Sequence, residues 1–333
     1  MAGLISGRTA LVVSGAPLHW SSFVDNFGPL TITGLAQGAI IALFALGYTL
    51  VYGVLRLINF AHSEVFLLGT FAAWGIWAAL GYQVNSKAPS LFPMIGLLLV
   101  GLVAAVAASA VTAVLLELVA YRPLRRRNAP PLTFLITAIG ASLAISEVVG
   151  VLTQRNQRGI PPIIVQKNLF SIGNMHVTNL QVLILVVAFL AMIVLDRFIS
   201  RSRLGRGIRA VSQNPDSAAL MGVNKNRVIS LVFLIGGIMA GVAAVMFDLK
   251  IGDTVYNAGT LLGIEAFTAA VLGGIGNLRG ALLGGMLLGL LENWASGLFG
   301  TAWQHAVAFV LLVLILLFRP TGLLGESLGR ARA

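Results

Sequence analysis

Few polar residues interrupt the apolar sequence of this chain, and one group of them lies at positions 58–64. The segment reads INFAHSE, in which Asn59, His62 and Glu64 supply an amide, an imidazole and a carboxylate. Polar groups at membrane depth are costly, so they usually face a bundle interior or a water-filled path. Three roles are open for this group: a helix break or gate held by hydrogen bonds, a contact with a polar solute, or a marker of the membrane boundary.

Other acidic residues lie within or beside apolar segments, where a proton- or sodium-coupled carrier would use them. They are Glu117, Glu147, Asp248, Glu265 and Glu292. Glu117 and Asp248 lie close to the ends of apolar segments, where hydration costs little, so the other three are the stronger candidates. The alternative role for each is a hydrogen bond to a neighbouring helix. The residues assigned to a translocation path or gate are Asn59, His62, Glu64 and Glu265.

The motifs of several enzyme classes are missing from the sequence. The four histidines are scattered and form no HExxH or other metal spacing, and no GxSxG elbow occurs. The chain has no cysteine, which excludes a thiol nucleophile and a cysteine metal site. No GxxxxGK[ST] phosphate loop occurs either. We therefore expect no enzyme, no metal and no cofactor in this chain, so that any ATP and Mg²⁺ would be bound by a partner.

The elements that must position these residues are long apolar segments. Of the 333 residues, 58% are hydrophobic and 10% are charged, whereas a soluble domain carries roughly 25% charged residues. Several apolar runs approach or exceed the roughly 18 residues that cross a bilayer as a helix. The sequence predicts an all-α, polytopic transmembrane helix bundle with about eight to ten spans. The candidate spans are 31–53, 58–80, 92–119, 132–152, 179–196, 228–248, 261–276, 280–299 and 303–318.

Two segments of the predicted bundle are similar in pattern. Residues 34–53 and 228–248 are both glycine-spaced spans that lead into a stretch broken by polar residues. An odd number of spans in each half would make the halves an inverted pair, as in many transporters. An inverted repeat is therefore one interpretation of the bundle.

The net charge of +11 follows the predicted topology. In a soluble protein this charge would suggest nucleic acid, but here the basic residues cluster in short segments between spans. Sixteen of the 22 fall on one side, mainly in 121–128, 197–227 and the C-terminal tail. The positive-inside rule makes that side cytoplasmic. We expect an external N-terminus and leader (1–29), an external loop 153–178, a cytoplasmic tail (326–333), and no nucleic-acid partner.

The cytoplasmic loop 197–227 contains a candidate short helix. Asn214 can cap the free amides at its start, and Pro215 suits the first turn. Residues 216–220 continue the helix, and Gly222 can end it. A membrane protein that presents a stiff, basic loop and helix to the cytoplasm offers a docking surface.

Three blocks of the sequence resemble the permease subunits of branched-chain amino acid ABC importers. They are GLAQGAIIALFALGYTLVYG (34–53) with LINFAHSE (57–64), GRGIRAVSQNPDSAALMGV (205–223) and IEAFTAAVLGGIGNLRGALLGG (264–285). The resemblance covers about 30–325, which it identifies as the permease domain of an inner-membrane protein. Such permeases pair with a second permease, identical or related, and with membrane lipid around them. Two ATPase subunits bind from the cytoplasm, and a soluble binding protein delivers solute from outside.

The resemblance also assigns the predicted short helix a role. In this family a coupling helix in the cytoplasmic loop lies in a cleft of the ATPase, which maps here onto 214–222. The ATPase-coupling residues are Arg206, Asn214, Pro215, Asp216, Ser217, Ala218, Ala219, Leu220 and Gly222. The family commonly has glycine where this chain has Ser63, and another residue where it has Glu265.

The function implied is a transmembrane pore subunit of an ATP-driven importer for branched-chain or related hydrophobic amino acids. Relatives in the same family move urea and short amides, and the shared blocks do not separate these solutes. An ion-coupled secondary carrier, an intramembrane enzyme and a passive channel are rival interpretations. The carrier predicts uptake by this chain alone that depends on an ion gradient. The enzyme predicts a covalent change of the solute, and the channel predicts flux without ATP.

Overall fold

The computed structural model describes residues 20–325 of the chain. Of the predicted leader (1–29), residues 20–29 are described and are largely helical. The predicted tail (326–333) lies outside the described residues. Within the described residues the fold is an all-α helix bundle, as predicted, with four short strands at the ends of helices.

The first half of the chain contributes six α-helices, which are listed here in chain order. They are α1 (Trp20–Asp25), α2 (Phe27–Leu55), α3 (His62–Ala79), α4 (Leu91–Leu116), α5 (Arg122–Arg126) and α6 (Pro131–Leu152). A π-helical segment, Glu117–Tyr121, joins α4 to α5 without interruption.

The second half contributes seven more α-helices. They are α7 (Asn179–Arg201), α8 (Arg203–Gln213), α9 (Pro215–Leu220), α10 (Lys225–Ile251), α11 (Ala258–Gly273), α12 (Leu278–Phe299) and α13 (Gln304–Phe318). A 3-10 turn, Thr301–Trp303, precedes α13.

The strands form two antiparallel pairs. Strand β1 (Arg158–Gly159) pairs with β4 (Asp253–Thr254), with Arg158 opposite Thr254. Strand β2 (Asn168–Ile172) forms a hairpin with β3 (Met175–Thr178). The β1–β4 pair ties 153–178, the predicted external loop, to the turn after α10, so this part of the loop is ordered against the spans.

Seven helical stretches of the described chain are long and apolar enough to cross a membrane. They are Phe27–Leu55, Leu91–Arg126, Pro131–Leu152, Asn179–Arg201, Lys225–Ile251, Leu278–Phe299 and Thr301–Phe318. The sequence also predicts spans at α3 and α11. Helix α3 begins with polar residues that lower its mean hydropathy, and α11 has only 16 residues, in keeping with the predicted short span 261–276. The inverted repeat stays a prediction.

Successive long helices alternate in direction, so their connections gather at two ends of the bundle. We call one the basic end, because it holds Arg56, Arg127, the segment 202–224 and Arg319. The connections 80–90, 153–178 and 252–257 lie at the opposite end. Two contacts support this division: Arg56 reaches the carbonyl of Ser212, and β1 pairs with β4.

Helix α2 is the centre of the bundle. In its most apolar window 83% of residues are buried, against 6% for the stretch that contains α13. Glycines allow this burial, since a Cβ on Gly38 would lie 2.6 Å from the carbonyl oxygen of Gly285 in α12. Small residues that let two backbones approach are the usual basis of helix packing in lipid. Helix α2 therefore packs against its neighbours through backbone contacts.

Three boundaries differ from the prediction at the basic end. The expected loop 121–128 is helical as far as Arg126, because the π-helical segment continues α4 directly into α5. The loop 197–227 is mostly helix, since α7 continues to Arg201 and α8 and α9 fill most of the rest. Helix α3 begins at His62, so Asn59 precedes it and does not share a helical face with His62.

Candidate gate and coupling site

The residues predicted as a gate lie where α2 ends and α3 begins, in a linker that we define as 56–61. Arg56 closes α2 in the left-handed region, with φ of 54°. A turn follows, in which the N–H of His62 donates to the carbonyl of Asn59 at 3.1 Å. The hydroxyl of Ser63 donates to the carbonyl of Phe60 at 2.6 Å. The linker is thus a hydrogen-bonded break at the basic end of the bundle.

Asn59 is the buried polar residue of this linker, with 3% of its surface exposed. Its Oδ1 accepts a hydrogen bond of 2.7 Å from the hydroxyl of Tyr121. No described residue hydrogen-bonds its Nδ2. A small cavity beside it is lined by Tyr48, Tyr52, Ile58, Asn59, Phe267, Ala270 and Ile275. Asn59 therefore offers a free amide N–H group in the wall of a cavity.

His62 is held by aromatic packing. Its ring stacks on Phe44 with centroids 5.2 Å apart and meets the edge of Tyr48 at 4.8 Å. A side chain at position 47 would collide with the imidazole, so Gly47 provides the space for the ring. No described residue hydrogen-bonds Nε2 of His62, which is 2% exposed. The ring plugs the space between α2 and α3.

Glu64 joins α3 to α6. Its Oε1 accepts hydrogen bonds from the hydroxyls of Ser142, at 3.0 Å, and Ser63, at 3.3 Å. No described residue hydrogen-bonds Oε2, and the side chain is fully buried. Asn59, His62 and Glu64 are therefore neighbours in sequence that point to three different sets of partners.

The fourth predicted gate residue, Glu265, belongs to a separate group, which we call the five-helix cluster. Its members are Gln37, Lys250, Glu265, Glu292 and His305, from α2, α10, α11, α12 and α13. His305 Nδ1 lies 2.6 Å from Glu265 Oε1, and the ammonium of Lys250 donates to Gln37. Lys250 also interacts electrostatically with Glu265 and Glu292. The structure thus separates Glu265 from the linker group.

Three members of the five-helix cluster were missed from the sequence. Lys250 was placed beyond the span 228–248, whereas α10 runs to Ile251 and ends on Gly252 with φ of 83°. Glycine just after a helix is the usual stop signal, so Gly252 could have given the correct boundary. Gln37 and His305 carried no local signal, since only the packing of distant helices brings them to Glu265.

The expectation that Glu117 and Asp248 are hydrated was wrong, because both are fully buried. The Glu117 carboxylate lies 2.7 Å from an Arg125 nitrogen and accepts a hydrogen bond of 2.8 Å from the hydroxyl of Ser230. It is covered because the helix continues past it to Arg126, beyond the predicted end. No described residue hydrogen-bonds either oxygen of Asp248.

Glu147, by contrast, is a surface residue. Its carboxylate is 52% exposed and lies 2.6 Å from the guanidinium of Arg155. Hydrogen bonding and charge from Glu147 raise the pKa of Arg155 above its usual value. A solvated ion pair accounts for Glu147 without a role in ion coupling.

The predicted short helix of the basic segment 202–224 is present as α9, within the predicted bounds. Oδ1 of Asn214 accepts from the backbone N–H groups of Asp216 and Ser217, both at 3.0 Å. Pro215 is its first residue, and Gly222 follows with φ of 85°. The local sequence was sufficient because each of these signals acts within one turn.

Most side chains of helix α9 are exposed on the surface of the bundle. Leu220 is 88% exposed and Met221 is 85% exposed, whereas Ala218 is buried against the bundle. Arg206, on α8, is exposed as well, together with Pro215, Asp216, Ser217 and Ala219. Helix α8 was missed, although Ser202 caps the backbone N–H of Gly205 at 2.8 Å. Apolar side chains so exposed on a charged segment are typical of a surface that a partner covers.

Comparison with known proteins extends over almost the whole chain. Residues 30–316 match the family described as "Branched-chain amino acid transport system / permease component". The high-affinity branched-chain amino acid transport system permease protein BraD of Pseudomonas aeruginosa is 41% identical over 298 residues, which cover 89% of this chain and 94% of BraD. LivH of Escherichia coli K12, a permease protein with the same description, is 39% identical over 300 residues, 88% of this chain and 94% of LivH.

Among solved structures, the chain matches an inward-facing conformation of a putative metal-chelate type ABC transporter. The TM-score is 0.49 at 15% identity, and the match covers 87% of this chain and 85% of that one. The apolar helices and the permease relatives together make this a multi-pass inner-membrane protein. With the family match over 30–316 and two relatives near 40% identity, the chain belongs to the permease family of branched-chain amino acid transport systems.

Proposed function

We propose that this chain is the transmembrane pore subunit of an ATP-driven importer for branched-chain or related hydrophobic amino acids. The observation that carries the proposal is the likeness to BraD and LivH over about nine-tenths of the chain. The permease domain is 30–325, preceded by an external leader (1–29) and followed by a cytoplasmic tail (326–333). Urea or short amides are the alternative solutes for the same scaffold.

The basic end of the bundle faces the cytoplasm in this proposal. The arginines of the segment 122–127, the segment 202–224 and the Arg319 turn support that orientation through the positive-inside rule. The N-terminus is then external and the C-terminus is cytoplasmic. The strand hairpin of 153–178 and the turn 252–257 face the soluble binding protein that delivers the solute.

Helix α9 is the coupling helix, and two ATPase subunits bind it and its counterpart on a second permease, identical or related. The exposed side chains of Leu220 and of Met221, which directly follows α9, support this role, since apolar side chains of that size are stabilised by a partner's cleft. Arg206 and residues 214–222 form the contact. ATP and Mg²⁺ belong to the ATPases, because the sequence of this chain has no phosphate loop.

The solute passes the linker 56–61 under alternating access. ATP binding draws the two ATPases together and moves the coupling helices, which opens the permease pair toward the loaded binding protein. Hydrolysis returns the pair to the inward-open state. The gate on the cytoplasmic side consists of Asn59, His62 and Glu64. Glu265 contacts the solute path nearer the external side of the membrane.

The test replaces 216–220 with a flexible glycine and serine sequence. Membrane insertion should be retained, and ATP-driven uptake in proteoliposomes that contain the full complex should be abolished. Leu80→Ser is the matched control, since Leu80 is exposed at the opposite end. Normal uptake from the 216–220 replacement would overturn the coupling assignment.

An ion-coupled secondary carrier is the second candidate, favoured by the buried Glu265 and Glu292 and by the half-buried Lys250 that interacts with both. It predicts that this chain alone, in liposomes without ATPase, takes up solute when an ion gradient is applied. The importer predicts no uptake under those conditions.

A further inference from the structure

The π-helical segment Glu117–Tyr121 contacts α10 through its first residue and the linker 56–61 through its last. Such segments are rare within α-helices and frequently occur at functional sites. Its first and last residues are both buried and both hydrogen-bonded to other parts of the chain. Because the two residues are four positions apart, the segment connects two different sets of partners over about one helical turn.

Glu117 holds the start of α10. Its carboxylate lies 2.7 Å from a guanidinium nitrogen of Arg125 and accepts a hydrogen bond of 2.8 Å from the hydroxyl of Ser230 in α10. Arg125 also donates to the side chain of Asn226, at 3.3 Å. Helix α10 follows directly from the basic segment, and a buried carboxylate whose partners were removed would cost several kcal/mol. Any movement of the start of α10 is therefore imposed on Glu117.

Tyr121 holds the linker 56–61. Its hydroxyl donates a hydrogen bond of 2.7 Å to Oδ1 of Asn59. Tyr121 is 1% exposed, and its ring packs against that of Phe233 with centroids 5.3 Å apart. Since Asn59 lies in the wall of the cavity beside the linker, a shift of the tyrosine is transferred to that wall. The linker has a second tie to the basic segment, from the Arg56 guanidinium to the carbonyl of Ser212 at 3.3 Å.

We propose that Glu117 and Tyr121 are positioning residues that transmit movement of the coupling helix to the gate. Movement of α9 displaces the start of α10, the carboxylate of Glu117 follows Ser230 and Arg125, and the hydroxyl of Tyr121 draws Asn59 with it. The inference rests on the proposed function, because it assumes that ATPase subunits move α9. It assigns a role to a buried ionic group that the gate and the coupling helix do not explain.

The test removes one oxygen atom, with Tyr121→Phe, and leaves the ring packing in place. In the full complex with ATPase subunits and binding protein, uptake per ATP hydrolysed should fall about fivefold. Loss of one buried hydrogen bond typically shifts an equilibrium by about this factor. The rate of ATP hydrolysis should stay within about twofold of the parent, because the ATPase contact at α9 is unchanged. Ser230→Ala, which removes the hydroxyl between α10 and Glu117, should uncouple the complex in the same way.

A second readout follows the gate directly. The chain has no cysteine, so Ile58→Cys places a single thiol of this chain in the cavity wall. In that background, the rate of labelling by a small maleimide should change when a non-hydrolysable ATP analogue binds the complex. Tyr121→Phe should abolish the change. Tyr82→Phe is the matched control, since Tyr82 lies at the opposite end, and it should leave the change intact.

The outcomes separate the two proposals. A labelling change that persists in Tyr121→Phe, with parental uptake per ATP, would overturn the transmission role alone. If the parent complex shows neither ATP-driven uptake nor any response of the thiol to the ATP analogue, the proposed importer function fails, and the transmission role fails with it.

Discussion

His305 Nδ1 lies 2.6 Å from Glu265 Oε1, so a ring that is 50% exposed covers a carboxylate that is 4% exposed. Because Glu265 has few other partners, we expect His305→Ala to lower the free energy of unfolding by about 1–2 kcal/mol. Thermal unfolding of the detergent-solubilised protein measures the change. His305→Gln keeps a hydrogen-bonding group and should recover most of the loss; equal losses in both variants would contradict this account of Glu265.

Glu292 discriminates between the importer and the ion-coupled carrier. Both of its oxygens lack a hydrogen-bond partner among the described residues, and the side chain is fully buried. Glu292→Gln removes a group that costs free energy whenever it is charged. For the importer we expect ATP-driven uptake within about twofold of the parent and unchanged or higher thermal stability. If Glu292→Gln instead abolished uptake that is driven by an imposed ion gradient, that result would favour the carrier.

The cap of α9 should control the strength of coupling. Asn214→Ala removes the acceptor for two backbone N–H groups and should cost about 1 kcal/mol of helix stability. We expect fewer ATPase subunits to copurify with the permease. Asn214→Asp keeps the acceptor and is the matched control. Copurification that is equally weak for both would indicate a direct contact of the amide.

Leu220 tests the same surface without changing the helix. Its side chain is 88% exposed, so Leu220→Ser should alter the free energy of unfolding by less than about 0.5 kcal/mol. If α9 docks on an ATPase, the substitution should nevertheless reduce copurification severalfold. Unchanged copurification and uptake would mean that this face of α9 contacts no partner.

The packing of α2 on α12 should tolerate no added carbon. A Cβ on Gly38 would lie 2.6 Å from the Gly285 carbonyl oxygen, and Gly38→Ala should cost about 1–3 kcal/mol or prevent assembly. Gly75→Ala is the control, because a Cβ there meets nothing within 4 Å and alanine favours the helix by about 1 kcal/mol. The yield of folded protein and its unfolding temperature measure both effects; a tolerated Gly38→Ala would contradict the observed contact.

Features that depend on one helical turn could be predicted from the sequence. Helix α9 is an example, because Asn214, Pro215 and Gly222 each act on backbone groups a few positions away. The long apolar spans were predictable for a similar reason, since their composition alone requires burial or lipid. The polar residues at 58–64 did mark a chain break, although α3 begins later than expected.

Features that depend on distant packing could not be predicted. The burial of Glu117 required the helix to continue past it and α10 to approach with Ser230, which lies 113 positions later. Glu265 was grouped with Asn59 because both are polar residues in apolar surroundings. Its actual partner, His305, lies 40 positions away on another helix. Residue type indicates that a buried polar group needs a partner, but only the tertiary structure shows which one.

The contact of α2 with α12 has a consequence for how the molecule can change shape. Where glycine meets glycine, peptide groups of the two helices touch directly, and no flexible side chain lies between them to absorb sliding. Helices α2 and α12 must therefore travel as a single body. The hinges then fall at the ends of that body, in the linker 56–61 and in the turn 274–277, where Gly274 and Gly276 have positive φ.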